Sequence, residues 1–309
     1  MPSSMVRLAG YQGSTSILTA SLRRLAQALA DGGFARNIAL EEDVTAGGEK
    51  ATGLFASVER GERQIAYMAS SYLSARVPAL GALDLPFSID DRQAALQALD
   101  GRAGALLREA VARDSGFQVL AFWDNGFRHL SNALRPLRTP ADCEGLVIRT
   151  LDNAHYRALF ASLGFQPVTT DVKDLVRAVE TGAVQAQENP LTNLISFGLW
   201  RHHRHVSLSG HCFGVLLLVC PRDWYESLPA ARRLALERAV RETTTAQRQL
   251  AADQDAAALA QLHAHGVQVL QPHEIDRAAM RQACASVCAS VRRDVPGAVL
   301  DAYLPEAVH

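Results

Sequence analysis

An α/β architecture in two lobes braced by one long helix is the expectation for this chain, and three observations carry it. Short apolar, strand-like runs alternate with amphipathic helical stretches through the first half. The alternation restarts near Gly145. From Ala230 to His265 there is neither glycine nor proline, and Ala, Leu, Arg, Glu and Gln predominate, so helix propensity is high throughout. A chain of 309 residues also exceeds what a single hydrophobic core usually serves.

Taken in order, Val6–Tyr11 reads as a strand, and Gly13-Ser14-Thr15-Ser16 leads into an amphipathic helix from Ile17 to Leu29. Ile38–Val44 is a second strand. Ala51–Arg60 is a helix stopped by Gly61, whose freedom at positive φ suits a C-terminal cap. Ile65–Met68 is a third strand, and helices over Arg92–Leu99 and Gly104–Arg113 precede the buried-type strand Gln118–Trp123. Such alternation implies parallel strands covered by helices on both faces. In the second series, Gly145–Thr150 is a strand and Ala154–Leu163 a helix ended by Gly164. Asp171–Thr181 is a helix capped by Asp171 and ended by Gly182, and Ala183–Gln187 is another strand. Val215–Val219 is an unbroken apolar strand far along the chain. Its return to the first sheet would make the domains discontinuous: 1–125 plus about 212–250 in lobe I, and 126–211 plus about 251–309 in lobe II. The helix from Ala230 to His265 reaches about 50 Å at 1.5 Å per residue. Leu234, Leu236, Val240, Leu250, Leu259 and Leu262 keep no strict heptad, so a brace across two lobes fits better than a coiled coil.

Composition narrows the function. The chain is 48% hydrophobic and 20% charged with a net charge of −1, so no basic field attracts nucleic acid or an anionic membrane. The longest apolar run, Phe213–Cys220, is strand-length, whereas a spanning helix needs about 20 residues. Met1-Pro2-Ser3-Ser4 leads straight into Val6-Arg7-Leu8 without a hydrophobic leader, which by itself favours the cytoplasm or a mature form whose leader has been removed. Five cysteines leave at least one thiol unpaired within a monomer, and Cys284 and Cys288 share a helix face at a spacing that does not favour a disulfide. Burial in apolar packing is expected for most of them.

The most informative run is Gly126–Asn189. It holds Gly126-Phe127-Arg128, then Arg138 to Arg149 with Pro140, Asp142 and Gly145, and closes with Gln187-Glu188-Asn189-Pro190. Two arginines and an amide thus each end a short apolar segment. Arginine there suits a planar anion, because its fork of donors matches a carboxylate bidentately. The bland reading of Arg149 is a surface salt bridge; convergence with Arg128 and Asn189 is what raises a binding site. Arg201-His202-His203-Arg204-His205 reads as a solvated loop rather than a metal site, because adjacent histidines rarely converge and two arginines repel a cation. Gly47-Gly48-Glu49-Lys50-Ala51-Thr52 lacks the Gly-Lys-Ser/Thr order of a phosphate loop, and Gly10–Ser14 is either an anion-holding helix start or a plain turn. His211 has no partnered nucleophile at a recognisable spacing.

These segments resemble the solute-binding subunits of TRAP (tripartite ATP-independent periplasmic) transporters. The likeness lies in Gly126-Phe127-Arg128, in Pro136 to Arg149 with Asp142 and Gly145, and in Ala178-Val179-Glu180-Thr181-Gly182. It continues in Ala186-Gln187-Glu188-Asn189-Pro190, His211, Trp224 with Leu228-Pro229, and the stretch from Glu59-Arg60-Gly61 to Leu85-Pro86-Phe87. It covers the chain from about Val6 to the final helices. The resemblance implies a two-lobed periplasmic binding protein, the long helix crossing both lobes and a small organic acid enclosed between them. It implies that Arg149 takes the ligand carboxylate, that Arg128 and Asn189 give flanking donors, and that Tyr11, Ser70, Asn153, Val172 and Phe213 line the pocket. Val172 where an aromatic is common, and Ala69 where sialic-acid binders carry a glutamate, argue against a sialic-acid-type ligand. The partners so implied are a carboxylate ligand and the transporter's membrane subunits. A monomer in the periplasm is expected, without cofactor, metal or catalytic residue. The alternative is an α/β enzyme acting on a carboxylic acid, with the same arginine clamp and His211 or a cysteine as reactive group.

Overall fold

The computed structural model describes residues Met5–Leu304. Nine strands form one sheet: β1 Met5–Ala9, β2 Asn37–Glu41, β3 Ile65–Ala69, β4 Phe117–Asn132, β5 Val147–Thr150, β6 Gln166–Thr169, β7 Ala186–Asn189, β8 His205–Pro221 and β9 Gln268–Leu270. Their order is β2-β1-β3-β8-β4-β7-β5-β6, with β9 added beside β8.

β4 and β8 decide the architecture. Each is about three times the length of a typical strand here, and together they run antiparallel through both lobes. The Leu216–Val219 end of β8 pairs β3 in the first lobe, while the His129–Asn132 end of β4 pairs β7 in the second. Parallel pairing survives only at the wings, β2-β1-β3 and β7-β5-β6, and between β8 and β9. The expected all-parallel order therefore fails at the centre, because two shared strands traverse the molecule in opposite directions. The expected strand at Gln118–Trp123 does not stop at Trp123. It continues through Gly126 to Asn132, broken by register shifts at Val119/Ala121, Asp124/Gly126 and Arg128/Leu130. Such bulges bend a strand and re-aim its side chains.

The late apolar strand does return to the first sheet, and the helix Ala230–Ala264 spans both lobes. Leu236, Ala239 and Val240 pack in the large first-lobe core; Ala258 and Leu262 pack with Leu191, Leu194 and Val206 in the second. At mid-length Gln247 fixes it to the sheet: its amide donates to the Asp124 carbonyl at 2.6 Å and accepts from the Asp124 amide at 2.9 Å. The C-terminal helices depart from the expected division. Val291, Val295, Val299, Leu300 and Tyr303 bury their apolar faces in the first-lobe core rather than the second. Conversely Phe87, from the first series of elements, packs into the second-lobe core beside Leu130, Ile148 and Phe160.

Candidate functional site

Between the lobes a narrow cavity of about 30 Å³ is lined by Tyr11, Gln12, Ala69, Tyr72, Asn125, Arg128, Arg149, Leu151, Val172, Asn189, Asn193 and Phe197. Many of these come from a strand end or from the turn or helix that follows one. Arg149 sits in the last turn of pleat in β5 and Asn189 ends β7. Ala69 ends β3, and Tyr72 closes the short 3-10 turn that follows. Open α/β sheets collect ligands at such places. Arg128 arises differently, from the middle of β4. The extra residue between Asp124 and Gly126 is Asn125, and Gly126 takes φ +79°, so the bulge lets Asn125 and Arg128 share one face despite their odd spacing.

The two arginines are in unlike states. Arg128 is buried and grips Glu188 with both Nε and Nη2, the latter at 2.7 Å from Oε1; Nη2 also meets the Glu188 carbonyl at 3.1 Å. Burial would by itself raise the Glu188 carboxyl, but the Arg128 charge and the hydrogen bond from His211 hold it down at about 2. His211 stands behind the pair, Nε2 at 3.4 Å from Glu188 Oε2 and Nδ1 at 2.8 Å from the Ser209 hydroxyl. Burial lowers the basicity of this imidazole. Arg149 has no such partner. It is only 3% exposed, its Nε donates to the Thr170 carbonyl at 2.9 Å, and Tyr72 lines the cavity with it. No carboxylate of the described residues forms an ion pair with it. A buried guanidinium without a counterion is costly unless an anion completes it.

Amides supply the rest of the polar lining. Asn189 accepts from Asn193 at 3.1 Å and donates to Gln187 at 2.6 Å. Gln12 accepts from the Ser16 hydroxyl at 2.6 Å. Ala69, Leu151, Val172 and Phe197 provide the apolar walls.

Of the eight residues expected in the site, Arg149, Arg128, Asn189, Tyr11 and Val172 come together around the cavity. Three do not line it. Asn153 caps the helix Ala154–Ser162 through its Oδ1, and its NH₂ is used by the Ser71 carbonyl at 2.7 Å and Ser74 Oγ at 2.8 Å. Its Oδ1 is spent on the helix cap and its NH₂ on tying the two lobes together. Phe213 lies directly opposite Phe127, ring centroids 5.2 Å apart, so it shares the face of Phe127 and not that of Arg128. Ser70 is buried in the turn that presents Tyr72. Sequence reasoning missed Tyr72, Gln12, Asn125, Asn193, Leu151 and Phe197. Asn193 was the most accessible of these, one helical turn beyond Asn189. The expected solvated loop at 201–205 is also corrected: His203 is buried with Nδ1 3.0 Å from Ser131 Oγ, and Arg204 donates to the carbonyls of His265 and Gly266 at the end of the long helix.

Comparison with known proteins bears on this geometry. A family described as bacterial extracellular solute-binding protein, family 7 (DctP) matches residues 37–294. A solute-binding protein of Verminephrobacter eiseniae is 31% identical over 247 residues, 79% of this chain and 72% of its own length. The 2,3-diketo-L-gulonate-binding periplasmic protein YiaO of Escherichia coli is 29% identical over 233 residues, 75% of this chain and 70% of its own. Among solved structures, a TRAP periplasmic solute-binding protein of Ralstonia eutropha H16 with bound (S)-2-acetolactate superposes with a TM-score of 0.89. It is 26% identical, and the match covers 97% of this chain and 98% of that one.

Proposed function

The chain belongs to the family 7 bacterial extracellular solute-binding proteins, the binding subunits of TRAP transporters, and on that premise we propose that it captures a small hydroxy, keto or sugar acid on Arg149 and hands it to membrane subunits. The observation that carries this reading is Arg149 itself: a buried guanidinium, held by Thr170 through Nε, with no carboxylate of the described residues beside it. A ligand carboxylate supplies the missing charge and accepts two parallel hydrogen bonds. Arg128, its Nε and Nη2 taken by Glu188, lines the same space. The amides of Asn125, Asn189, Asn193 and Gln12 suit hydroxyl or keto oxygens. The relatives that bind 2,3-diketo-L-gulonate and 2-acetolactate support an oxygen-rich acid of modest size.

Capture proceeds by hinge bending where β4 and β8 cross between lobes, the cleft opening for entry and closing over the acid. Closure removes water, which strengthens the ion pair. The division of labour follows from the fold: the first lobe brings Tyr11, Gln12, Ala69 and Tyr72, and the second brings Arg149, Val172, Asn189 and Asn193. The periplasm is the place of action for such a subunit. The enzyme alternative is set aside, because members of this family are transport binding proteins and the His211 ring is wholly buried behind the Arg128–Glu188 pair.

Mass spectrometry of ligand released from purified protein, followed by a thermal-shift screen of acids, neutral sugars and amines, tests this reading. A bound ligand stabilises in proportion to RT ln(1 + [L]/Kd). Acids alone are expected to stabilise the protein; stabilisation by neutral sugars or amines and by no acid would return Arg149 to a structural role.

A further inference from the structure

The cavity of about 30 Å³ between the lobes is flanked by larger spaces. Two chambers of about 350 and 340 Å³ adjoin it, and they share no lining residue with each other. The first meets the cavity at Asn193 and Phe197 and the second at Tyr72, since these residues line the spaces on both sides. A half-buried aromatic ring therefore stands at each boundary, Tyr72 from the first lobe and Phe197 from the second.

Each ring is held by its own lobe. Tyr72 packs against Phe55 and Tyr11, with ring centroids 5.2 and 6.3 Å apart. Phe197 follows the helix Leu191–Ser196; its amide donates to the Asn193 carbonyl at 3.0 Å, and its side chain packs on Leu175, Val179, Val184 and Leu199. Gly198, at φ +68°, turns the chain immediately afterwards. The spaces behind the rings differ in chemistry. Beyond Tyr72 stand Asp152, Asp171 and Asp174 with Lys50, a net negative surface that disfavours an acid. Beyond Phe197 stand the hydroxyls and amides of Thr15, Ser16, Thr192, Ser196, Gln254 and Gln261. Among the described residues of that lining Arg201 alone is charged, and it is exposed over the Trp200 ring at 4.8 Å.

We propose that Phe197 sets the length of acid the cleft accepts, closing the cavity against the hydroxyl- and amide-lined chamber so that short acids fit and six-carbon sugar acids do not. The proposal rests on the reading of this cleft as an acid-capture site. A chain that outgrows the cavity meets Tyr72 and an acidic surface in one direction and the Phe197 ring in the other. It reaches the polar chamber only by driving the ring off Leu175, Val179, Val184 and Leu199, which returns apolar surface to water. Asn193 lies one helical turn before Phe197 and is tied to Asn189 at 3.1 Å, so the ring is the part of the partition that a substitution can remove without freeing the amides. With the ring gone, the cavity and chamber join, and the hydroxyls of a longer chain find donors and acceptors already in place.

A ladder of acids tests this. Titration calorimetry would compare hydroxy acids from glycerate through erythronate, threonate and ribonate to gluconate and galactonate, and keto acids from pyruvate to 2-keto-gluconate. In the wild-type protein the tightest acid of three or four carbons is expected to bind better than any six-carbon acid, by roughly tenfold or more. Six-carbon or larger acids binding as tightly as the short ones, or alone, overturn the proposal while leaving the acid-capture reading intact. Binding of no acid in the panel or the thermal-shift screen overturns both. Phe197→Ala gives the independent readout: the ratio of six-carbon to short-acid affinity should rise by roughly tenfold or more, a gain of binding that mere loss of packing does not produce. Phe197→Val, a smaller truncation, should move the ratio the same way by less, and carries the test if the alanine variant does not fold. Ile195→Ala enlarges the chamber without touching the partition and should leave the ratio unchanged. A folded Phe197 variant with the wild-type ratio, or an equal shift in Ile195→Ala, would refute the assignment.

Discussion

Replacing Arg149 with alanine separates a ligand clamp from a structural salt bridge, because the first role predicts little change in the stability of the empty protein and the second a large loss. The side chain is buried at 3% exposure, with one hydrogen bond to the Thr170 carbonyl and a tyrosine hydroxyl nearby, and no carboxylate to compensate its charge. In the ligand-free protein its removal relieves an uncompensated buried cation and costs one hydrogen bond of about 1 kcal/mol, so net stability should change by no more than about 1 kcal/mol in either direction. In the complex the ligand carboxylate would lose its bidentate partner, a loss of about 2–4 kcal/mol, or roughly 30-fold to 1,000-fold in Kd. Arg149→Lys should recover only part, since an ammonium does not reproduce the fork. Arg128→Ala is the contrast: it strands the buried Glu188 carboxylate and should destabilise the empty protein by about 3–5 kcal/mol. Urea denaturation of both variants, with calorimetry on the ligand identified by mass spectrometry, reads the two effects separately. Wild-type affinity in Arg149→Ala, or a loss of empty-state stability as large as that of Arg128→Ala, would refute the reasoning.

Other consequences follow from single residues. Burial pushes the Asp84 carboxyl up to about 7, above its unfolded value of about 4, so its contribution to stability is full below pH 4 and is lost as pH rises toward 7. Asp84→Asn should flatten that slope and be the more stable protein at pH 8, on the order of 2 kcal/mol in urea titrations; an unchanged slope speaks against it. Asn153→Ala removes a helix cap and two contacts to the first lobe, and should cost about 1–3 kcal/mol of stability in denaturation experiments. Gly126→Ala places a Cβ at φ +79° and 3.1 Å from Asp255 Oδ2 at the bulge that aims Arg128, with an expected loss of about 1–3 kcal/mol; a neutral effect would mean that the bulge relaxes freely. The acid-bound form should also show a smaller radius of gyration by small-angle scattering than the empty form, and equal radii at confirmed saturation would indicate a rigid pocket.

Periodicity carried the wings of the molecule well. Val6–Tyr11, Ile65–Met68, Gly145–Thr150 and the glycine-stopped helices are local elements whose ends are marked by caps, and each appears close to where the pattern puts it. The long helix was legible for the same reason, since nothing in it breaks a helix. What hid was the continuation of β4 past Trp123. Asp124-Asn125-Gly126 looks like a turn, and only pairing with β8, some ninety residues later, makes it a bulge inside one strand. The face of Phe213 is hidden for a related reason, since the register opposite Phe127 fixes it. Asn153 is chemically able to bind a ligand, but its hydrogen bonds are claimed by Ser71 and Ser74, residues far away in sequence. The fate of a polar side chain depends on such long-range partners. Arg128 and Arg149 look alike in the sequence, and only the structure distinguishes the paired from the unpaired one.

The most direct test is a calorimetric comparison of the identified acid with its own methyl ester. The ester keeps the carbon skeleton, hydroxyls and keto groups and removes the negative charge alone. Capture by Arg149 requires the acid to bind and the ester to give no measurable heat, since a buried guanidinium facing an ester stays uncompensated. An ester that binds within a few-fold of the acid would contradict it.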